Sequence, residues 1–167
     1  DGIKHFEERL QYGLNKDFSP RKTILKDNPD DINDKYYGNN NVVGPTAEGA
    51  LHGTHVAGII AAVRHNNIGI DGVADHVRIM PVRTVPDGDE YDKDVALALR
   101  YAIDNGAKVI NTSFGKEFSP HKEWVYDALK YAAQKDVLIV NAAGNDTKNV
   151  DVQLTFPDDN RSEEHTS

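Results

Sequence analysis

Two short apolar segments separated by a helical pattern constrain the fold of this chain more than any other feature. Residues 109–113 read Val-Ile-Asn-Thr-Ser, and residues 137–140 read Val-Leu-Ile-Val. A continuous apolar run is typical of a strand in a parallel sheet that is covered on both faces. A helix between two such strands makes a parallel strand–helix–strand unit. The sequence therefore predicts an α/β fold, a parallel β-sheet flanked by helices.

Helical periodicity occurs on both sides of the segment 109–113. Between residues 92 and 105 the apolar residues recur at helical spacing, as Val95, Ala98, Leu99, Ala102 and Ile103. Gly106 follows at the position of a C-terminal cap. Ser119 and Pro120 predict the start of the next helix, with the serine as N-cap and the proline at the first helical position. A further strand is predicted over residues 77–83.

Composition excludes several classes of protein. The 167 residues include 27 acidic and 19 basic residues, and the net charge of -8 argues against a nucleic-acid-binding groove. No apolar run reaches the length of a membrane span, and the absence of cysteine excludes thiol catalysis and disulfides. Residues 1–43 are polar and weakly periodic, and we interpret them as an insertion or connecting segment of the same domain.

The most informative motif is His-Gly-Thr-His-Val-Ala-Gly at residues 52–58, which opens a run of small apolar residues. Helical spacing there predicts a buried helix with the His52 imidazole at its entrance. The motif resembles the histidine motif of the subtilisin-like serine peptidases, the subtilases, in which the first histidine is the general base. The resemblance therefore implies a catalytic role for His52 and a structural role for His55. The spacing is not the His-Glu-x-x-His of a zinc site.

Two further segments carry the resemblance. Residues 142–145, Ala-Ala-Gly-Asn, are similar to the subtilase segment whose asparagine stabilises the oxyanion, which implies that role for Asn145. Residues 111–115 are similar to the segment that pairs with the substrate backbone. The resemblance thus implies substrate-binding roles for Ser113, Phe114, Gly115, Ala143 and Gly144. Ser113 is not expected to be the nucleophile, because no Gly-Thr-Ser-Met-Ala type of motif surrounds it.

The resemblance covers about residues 43–150 and implies a partial subtilisin-like three-layer fold over residues 44–160. Neither the triad aspartate before His52 nor the triad serine after Asn145 is recognisable. Residues 161–167 read as an in-frame translation of a common short-read sequencing adapter, so we expect an interior piece of a larger gene and a tail that packs against nothing. The chain as given is therefore expected to be inactive.

The resemblance also bears on ligands, partners and location. It implies protein or peptide substrates and no cofactor for the chemistry, with a structural calcium near Asn66 as a further expectation. It places the loop 85–91 near the non-primed substrate sites and suggests a secreted or cell-envelope location. One alternative remains open, a non-catalytic subtilase-like module that binds peptides. A doubly wound nucleotide-binding protein is disfavoured, because no Gly-x-Gly-x-x-Gly turn follows a first strand.

Overall fold

The fold is an α/β unit whose elements follow in the order expected for a strand–helix–strand crossover. The computed structural model describes residues 3, 6–7, 9–85, 90–149 and 155–157, so the expectation for residues 161–167 lies outside the described residues. Two π-helical turns, Arg9–Gly13 and Arg21–Leu25, and a 3-10 turn, Glu48–Ala50, precede the regular elements. These are α1 (Leu51–Ala61), α2 (Asp92–Asp104), β1 (Val109–Thr112), α3 (Lys122–Gln134) and β2 (Leu138–Asn141).

The two strands form a parallel pair that α3 connects. Val109 is opposite Leu138 and Thr112 is opposite Asn141, so both strands end at the same edge of the sheet. This arrangement confirms the predicted α/β class with a parallel sheet. None of the helices in the described part of the chain is long and apolar enough to cross a membrane.

The core lies between α2, α3 and one face of the sheet. Ile110 and Ile139 supply the sheet side, and the helices supply the fully buried residues Val95, Ala96, Leu99, Val125 and Ala128. A second cluster continues the core with Ile103, Ala132 and Val137. The predicted apolar face of α2 is confirmed, because four of its five residues are buried and Ala98 is half-buried.

The opposite face of the sheet is exposed. Val109, Leu138 and Val140 point away from α2 and α3 and remain accessible to solvent. The expectation that helices cover both faces is therefore wrong for the described part of the chain, because both packed helices lie on one side. An apolar run shows that a strand can be buried on two faces, but it does not show which elements cover them.

The helix that carries the histidine motif is also exposed. α1 begins at Leu51, one residue before the predicted start at His52, yet none of its residues is buried and it contributes to neither core cluster. The predicted burial of this helix is therefore wrong. Backbone hydrogen bonds to the following loop hold its C-terminal end, because the amides of Val73 and Ala74 donate to the carbonyls of Ile59 and Ile60.

The start of α3 differs from the prediction. The helix begins at Lys122 with His121 as the preceding residue, not at Pro120. The Ser119 hydroxyl donates to Asp92 Oδ1 at 2.7 Å, and no side-chain hydrogen bond caps the start of α3. Residues 77–83 do not form the predicted strand. They pair with no strand among the described residues, and a strand is stable only beside a partner.

Gly106 ends α2 in a left-handed conformation, with φ at +91°. Its amide donates to the carbonyl of Ile103, and the Ala107 amide donates to that of Ala102. A β-carbon at Gly106 would meet no atom within 4 Å, so alanine there would be strained only by its backbone. We expect Gly106→Ala to lower the free energy of unfolding by about 1–2 kcal/mol. Urea denaturation followed by circular dichroism measures this loss.

Gly106→Asn is the matched control, because asparagine tolerates the left-handed region better than alanine does. The asparagine variant should lose less stability than the alanine variant. Equal stability of Gly106→Ala and the unchanged chain would contradict the role of the left-handed cap.

Candidate functional site

Two chain segments leave the sheet at its carboxyl edge, where sites lie in parallel α/β sheets. Residues 113–115 follow β1, and residues 142–145 follow β2. The Ala142 amide donates to the Thr112 carbonyl at 3.1 Å, and the Thr112 hydroxyl donates to the side-chain oxygen of Asn141. These bonds extend the strand pairing by one residue. They therefore hold the starts of both segments next to each other at the ends of β1 and β2.

The side chains at this edge differ in exposure. Ser113 and Phe114 are half-buried, and Phe114 packs against the core cluster of α2 and α3. Gly115 and residues 142–145 are exposed, and Gly144 has a positive φ of +86° that turns the chain after β2. The exposed positions at this edge are therefore Gly115 and residues 143–145, since the amide and the carbonyl of Ala142 are already bonded to Thr112 and Asn141.

Ser113, the residue after β1, is bonded to a side chain of that strand. The Asn111 side-chain amide donates to the Ser113 hydroxyl oxygen at 2.8 Å. An amide cannot accept the proton that a nucleophilic serine must release, so this pairing does not activate the hydroxyl.

His52 lies apart from the packed unit. It is the second residue of α1, and its side chain is exposed. Because α1 shares no core cluster with α2, α3 or the sheet, core packing does not fix His52 relative to Asn145. The structure therefore brings the residues around Ser113 and Asn145 to one edge, and it leaves His52 on a helix that is held by other contacts.

A small pocket beside this edge was not predicted from the sequence. Its lining combines charged and apolar residues, namely Glu90, Asp92, Val95, Phe114, Lys116, Val125, Phe156 and Pro157. Phe156 and Lys116 exchange backbone hydrogen bonds of 2.8 and 2.9 Å, which close one wall. No short motif encodes such a pocket, since its residues come from four separate stretches of chain. Residues 86–89 of the predicted substrate loop lie outside the described residues.

Asp92, a buried residue in the lining of this pocket, binds several neighbouring groups. Lys116 Nζ lies 2.8 Å from Asp92 Oδ1, and the His121 amide donates to Oδ2 at 2.8 Å. Burial alone raises the pKa of Asp92, but hydrogen bonds from Lys116, Ser119 and His121 outweigh burial and hold the pKa below its usual range. The carboxylate is therefore charged and fully engaged at neutral pH, which suits a structural role rather than proton transfer.

A second group of charges, which we call the α2 charge cluster, joins residues 21–37 to the first turn of α2. It consists of Arg21, Asp27, Tyr37, Lys93 and Asp94. Arg21 bonds to Asp27 and Asp94 at 2.6 Å each, and Lys93 Nζ lies 3.1 Å from Asp27. The Tyr37 hydroxyl donates to Asp94. The side chains of Lys93 and Asp27 have no exposed area.

The charges of the α2 charge cluster stabilise one another. Burial raises the pKa of Asp27, but the hydrogen bonds and charges of Arg21 and Lys93 hold it below its usual range. Burial and the neighbouring Asp94 raise the pKa of the Tyr37 hydroxyl, so it stays protonated and donates. Sequence reasoning missed this cluster, because Lys93 lies off the predicted apolar face of α2.

The loop near Asn66 shows which oxygens a cation would find. Asn66 Oδ1 accepts a hydrogen bond from the Ile68 amide, and Asp71 Oδ1 accepts one from the His65 amide. Calcium takes six to eight oxygens, and among the described residues no group of three acidic or histidine side chains is arranged to hold a metal ion. A calcium ion here would depend on carbonyl oxygens and other segments, so the site stays a prediction.

Comparison with known proteins places the chain in a family. The sequence profile of the subtilase family matches residues 1–164. The chain therefore belongs to the subtilase family. This match extends on both sides of the motifs at residues 43–150 that carry the resemblance.

Individual relatives match over part of their length. The chain is 45% identical over 95 residues to the thermophilic serine proteinase of Bacillus sp. (strain AK1), covering 56% of this chain and 23% of that protein. It is 42% identical over 95 residues to thermitase of Thermoactinomyces vulgaris, covering 56% of this chain and 33% of thermitase. It is 40% identical over 107 residues to the cell wall-associated protease of Bacillus subtilis (strain 168), covering 64% of this chain and 11% of that protease. The chain thus spans at most a third of these relatives, and no solved structure matches it.

Proposed function

We propose that this chain is part of the catalytic domain of a serine endopeptidase that hydrolyses peptide bonds through a Ser-His-Asp triad. His52 acts as the general base, and Asn145 stabilises the oxyanion. The observation that carries the proposal is the register of β1 and β2. It brings residues 113–115 and 142–145 to one edge of the sheet, in a chain that belongs to the subtilase family.

The proposed chemistry uses two residues of this chain directly. His52 takes the proton from a serine hydroxyl, whose oxygen attacks the carbonyl carbon of the scissile bond while the carbonyl electron pair moves onto oxygen. The Asn145 side-chain amide donates a hydrogen bond to that oxyanion. The oxyanion electron pair then re-forms the carbonyl, the scissile C–N bond breaks, and the imidazolium protonates the leaving amine. Water then attacks the acyl-enzyme in the same way, which releases the acid and frees the serine. The serine and the orienting aspartate are assigned to parts of the protease outside these 167 residues.

Substrate binding is assigned to backbone groups at the same edge. An extended peptide can pair with exposed amides and carbonyls as an added strand does. The exposure of Gly115, Ala143 and Gly144 supports this role, and Ser113 and Phe114 form the adjoining wall. The substrates are proteins or peptides. Residues 44–160 form the partial catalytic domain, and contacts of Arg21 and Asp27 with α2 support the assignment of residues 1–43 to the same domain.

The proposal includes no cofactor for the chemistry, and it keeps calcium near Asn66 as a structural ion only. The names of relatives bear on location. One is a cell wall-associated protease of Bacillus subtilis, and another is an extracellular protease of Xanthomonas campestris. We therefore propose a secreted or cell-envelope location for this protease.

Labelling by a serine-directed fluorophosphonate tests the proposed function. We expect the 167-residue chain to remain unlabelled and to leave fluorogenic casein intact, because it contains no recognisable nucleophile. A complete protease that carries this sequence should be labelled and should cleave casein. If that protease folds but shows neither activity, the non-catalytic peptide-binding alternative replaces the proposal. Casein turnover by the 167-residue chain that is lost in its His52→Ala variant would mean that the nucleophile lies within it, with Ser113 the first candidate.

A further inference from the structure

The side chain of Arg83 connects the segment before α1 to the segment before α2. Its Nη1 donates to the carbonyl oxygen of Val43 at 2.7 Å and to that of Gly49 at 3.3 Å. These carbonyls lie 40 and 34 residues away in the sequence. One guanidinium group therefore joins two points of the chain immediately upstream of the histidine motif.

The backbone around the guanidinium is shaped to receive it. A β-carbon on Gly44 would lie 2.5 Å from Arg83 Nη1 and 2.7 Å from Cζ, so a larger residue there would displace the guanidinium from this position. Gly44 has a φ of +82°, which also favours glycine. Asn41 fixes this conformation, because its Oδ1 accepts a hydrogen bond from the Gly44 amide and its amide donates to the Gly44 carbonyl. Asn41 and Gly44 therefore form a cradle, a backbone turn that receives the planar guanidinium of Arg83.

The cradle is directly coupled to the start of α1. Gly49 belongs to the 3-10 turn Glu48–Ala50, and the Leu51 amide donates to the Glu48 carbonyl where the turn passes into the helix. The Gly49 amide in turn donates to the Thr46 hydroxyl at 3.2 Å. His52 follows Gly49 by three residues. A shift of the turn therefore moves the first turn of α1 and the imidazole with it.

Hydrogen bonds at its two ends determine the position of α1, because the helix has no buried residue that could fix it by packing. Its C-terminal end is held by the amides of Gly72, Val73 and Ala74, and its N-terminal end is held through Arg83. The segment 72–83 thus secures both ends of the helix. Removal of Arg83 would release only the end that carries His52.

We propose that Arg83 is a positioning residue for the general base, holding the turn from which His52 projects. The inference rests on the proposed role of His52. Misplacement of a catalytic group by 1 Å costs about 100-fold in rate. In a complete protease that carries this sequence, Arg83→Gln should lower kcat by about 10- to 100-fold and change KM by less than about threefold. Arg83→Lys should recover part of kcat, because lysine keeps the charge and donates to carbonyls but lacks the planar fork.

Amide hydrogen exchange of the 167-residue chain gives a readout that does not need activity. In Arg83→Gln, exchange should accelerate at residues 55–57, the first amides bonded within α1, and should stay unchanged in α2 and α3. Unchanged exchange at residues 55–57, or an unchanged kcat in Arg83→Gln, would overturn the proposal. Equal acceleration in all three helices would show a general loss of stability instead and would overturn it as well.

Failure of the proposed general-base role of His52 and failure of the positioning role of Arg83 give different results. If the complete protease cleaves casein independently of His52, the proposed function fails, and Arg83 cannot position a base. If cleavage depends on His52 while Arg83→Gln keeps full kcat, the proposed function stands and only the role of Arg83 is refuted.

Discussion

Replacement of Lys93 by alanine is expected to lower the free energy of unfolding of the 167-residue chain by about 3–5 kcal/mol. Lys93 Nζ contacts Asp27 at 3.1 Å and donates to the Asn28 carbonyl at 2.7 Å, and its side chain has no exposed area. Loss of the ammonium leaves the buried carboxylate of Asp27 and the partly buried carboxylate of Asp94 opposite the single charge of Arg21. A loss of this size is a large part of the 5–15 kcal/mol that stabilises a typical domain. Urea denaturation followed by the fluorescence of Trp124, the one tryptophan of the chain, measures it.

Two further variants separate charge from packing. Lys122→Ala changes an exposed lysine on α3 and should alter stability by no more than about 0.5 kcal/mol. Lys93→Met keeps the packing of the aliphatic stem and should still be strongly destabilising. Asp27→Asn added to Lys93→Met should recover about 1–2 kcal/mol, since it removes the uncompensated charge. A Lys93→Ala variant as stable as Lys122→Ala would contradict the burial of the α2 charge cluster.

The packed half of the fold is the half that local sequence patterns could predict. Apolar spacing located α2 and α3, and the positive φ of Gly106 confirms its predicted place after α2. These features depend on neighbours within about four residues, which a sequence shows directly. The burial of Lys93 depends on Asp27, 66 residues away, and nothing local marks such a pair.

The same distinction applies to the candidate site. The strand register shows that residues 113–115 and 142–145 leave the sheet at one edge, and both segments follow strands that could be located from their apolar runs. The position of α1 could not be predicted in this way. Its motif identifies a histidine and a helix start, but what holds the helix is a set of long-range hydrogen bonds to residues 72–83. The strand predicted at 77–83 failed for a related reason, since pairing is a property of two segments.

The proposed base gives the prediction with the largest effect on activity. In a complete protease that carries this sequence, we expect His52→Ala to lower kcat by about 10⁴- to 10⁶-fold. Subtilisin, a member of the same family, loses about 2 × 10⁶-fold when its histidine is removed. Alanine cannot take the serine proton or return one to the leaving amine, so both proton transfers revert to water. Asn145→Ala should cost less, about 10²- to 10³-fold, because it removes one hydrogen bond to the oxyanion and leaves the triad intact. Initial rates on fluorogenic casein measure both losses.

His76→Ala is the matched control for His52→Ala, because it removes an imidazole that is 94% exposed and paired only at 3.8 Å with Asp75. Its rate should stay within about twofold of the unchanged enzyme, as for an ordinary surface substitution. The order of the three variants is the decisive result. If His52→Ala retains more activity than Asn145→Ala, a general-base role for His52 is refuted, because loss of the base must exceed loss of one oxyanion donor. If His52→Ala and His76→Ala are equally active, the histidine motif serves the structure of α1 alone.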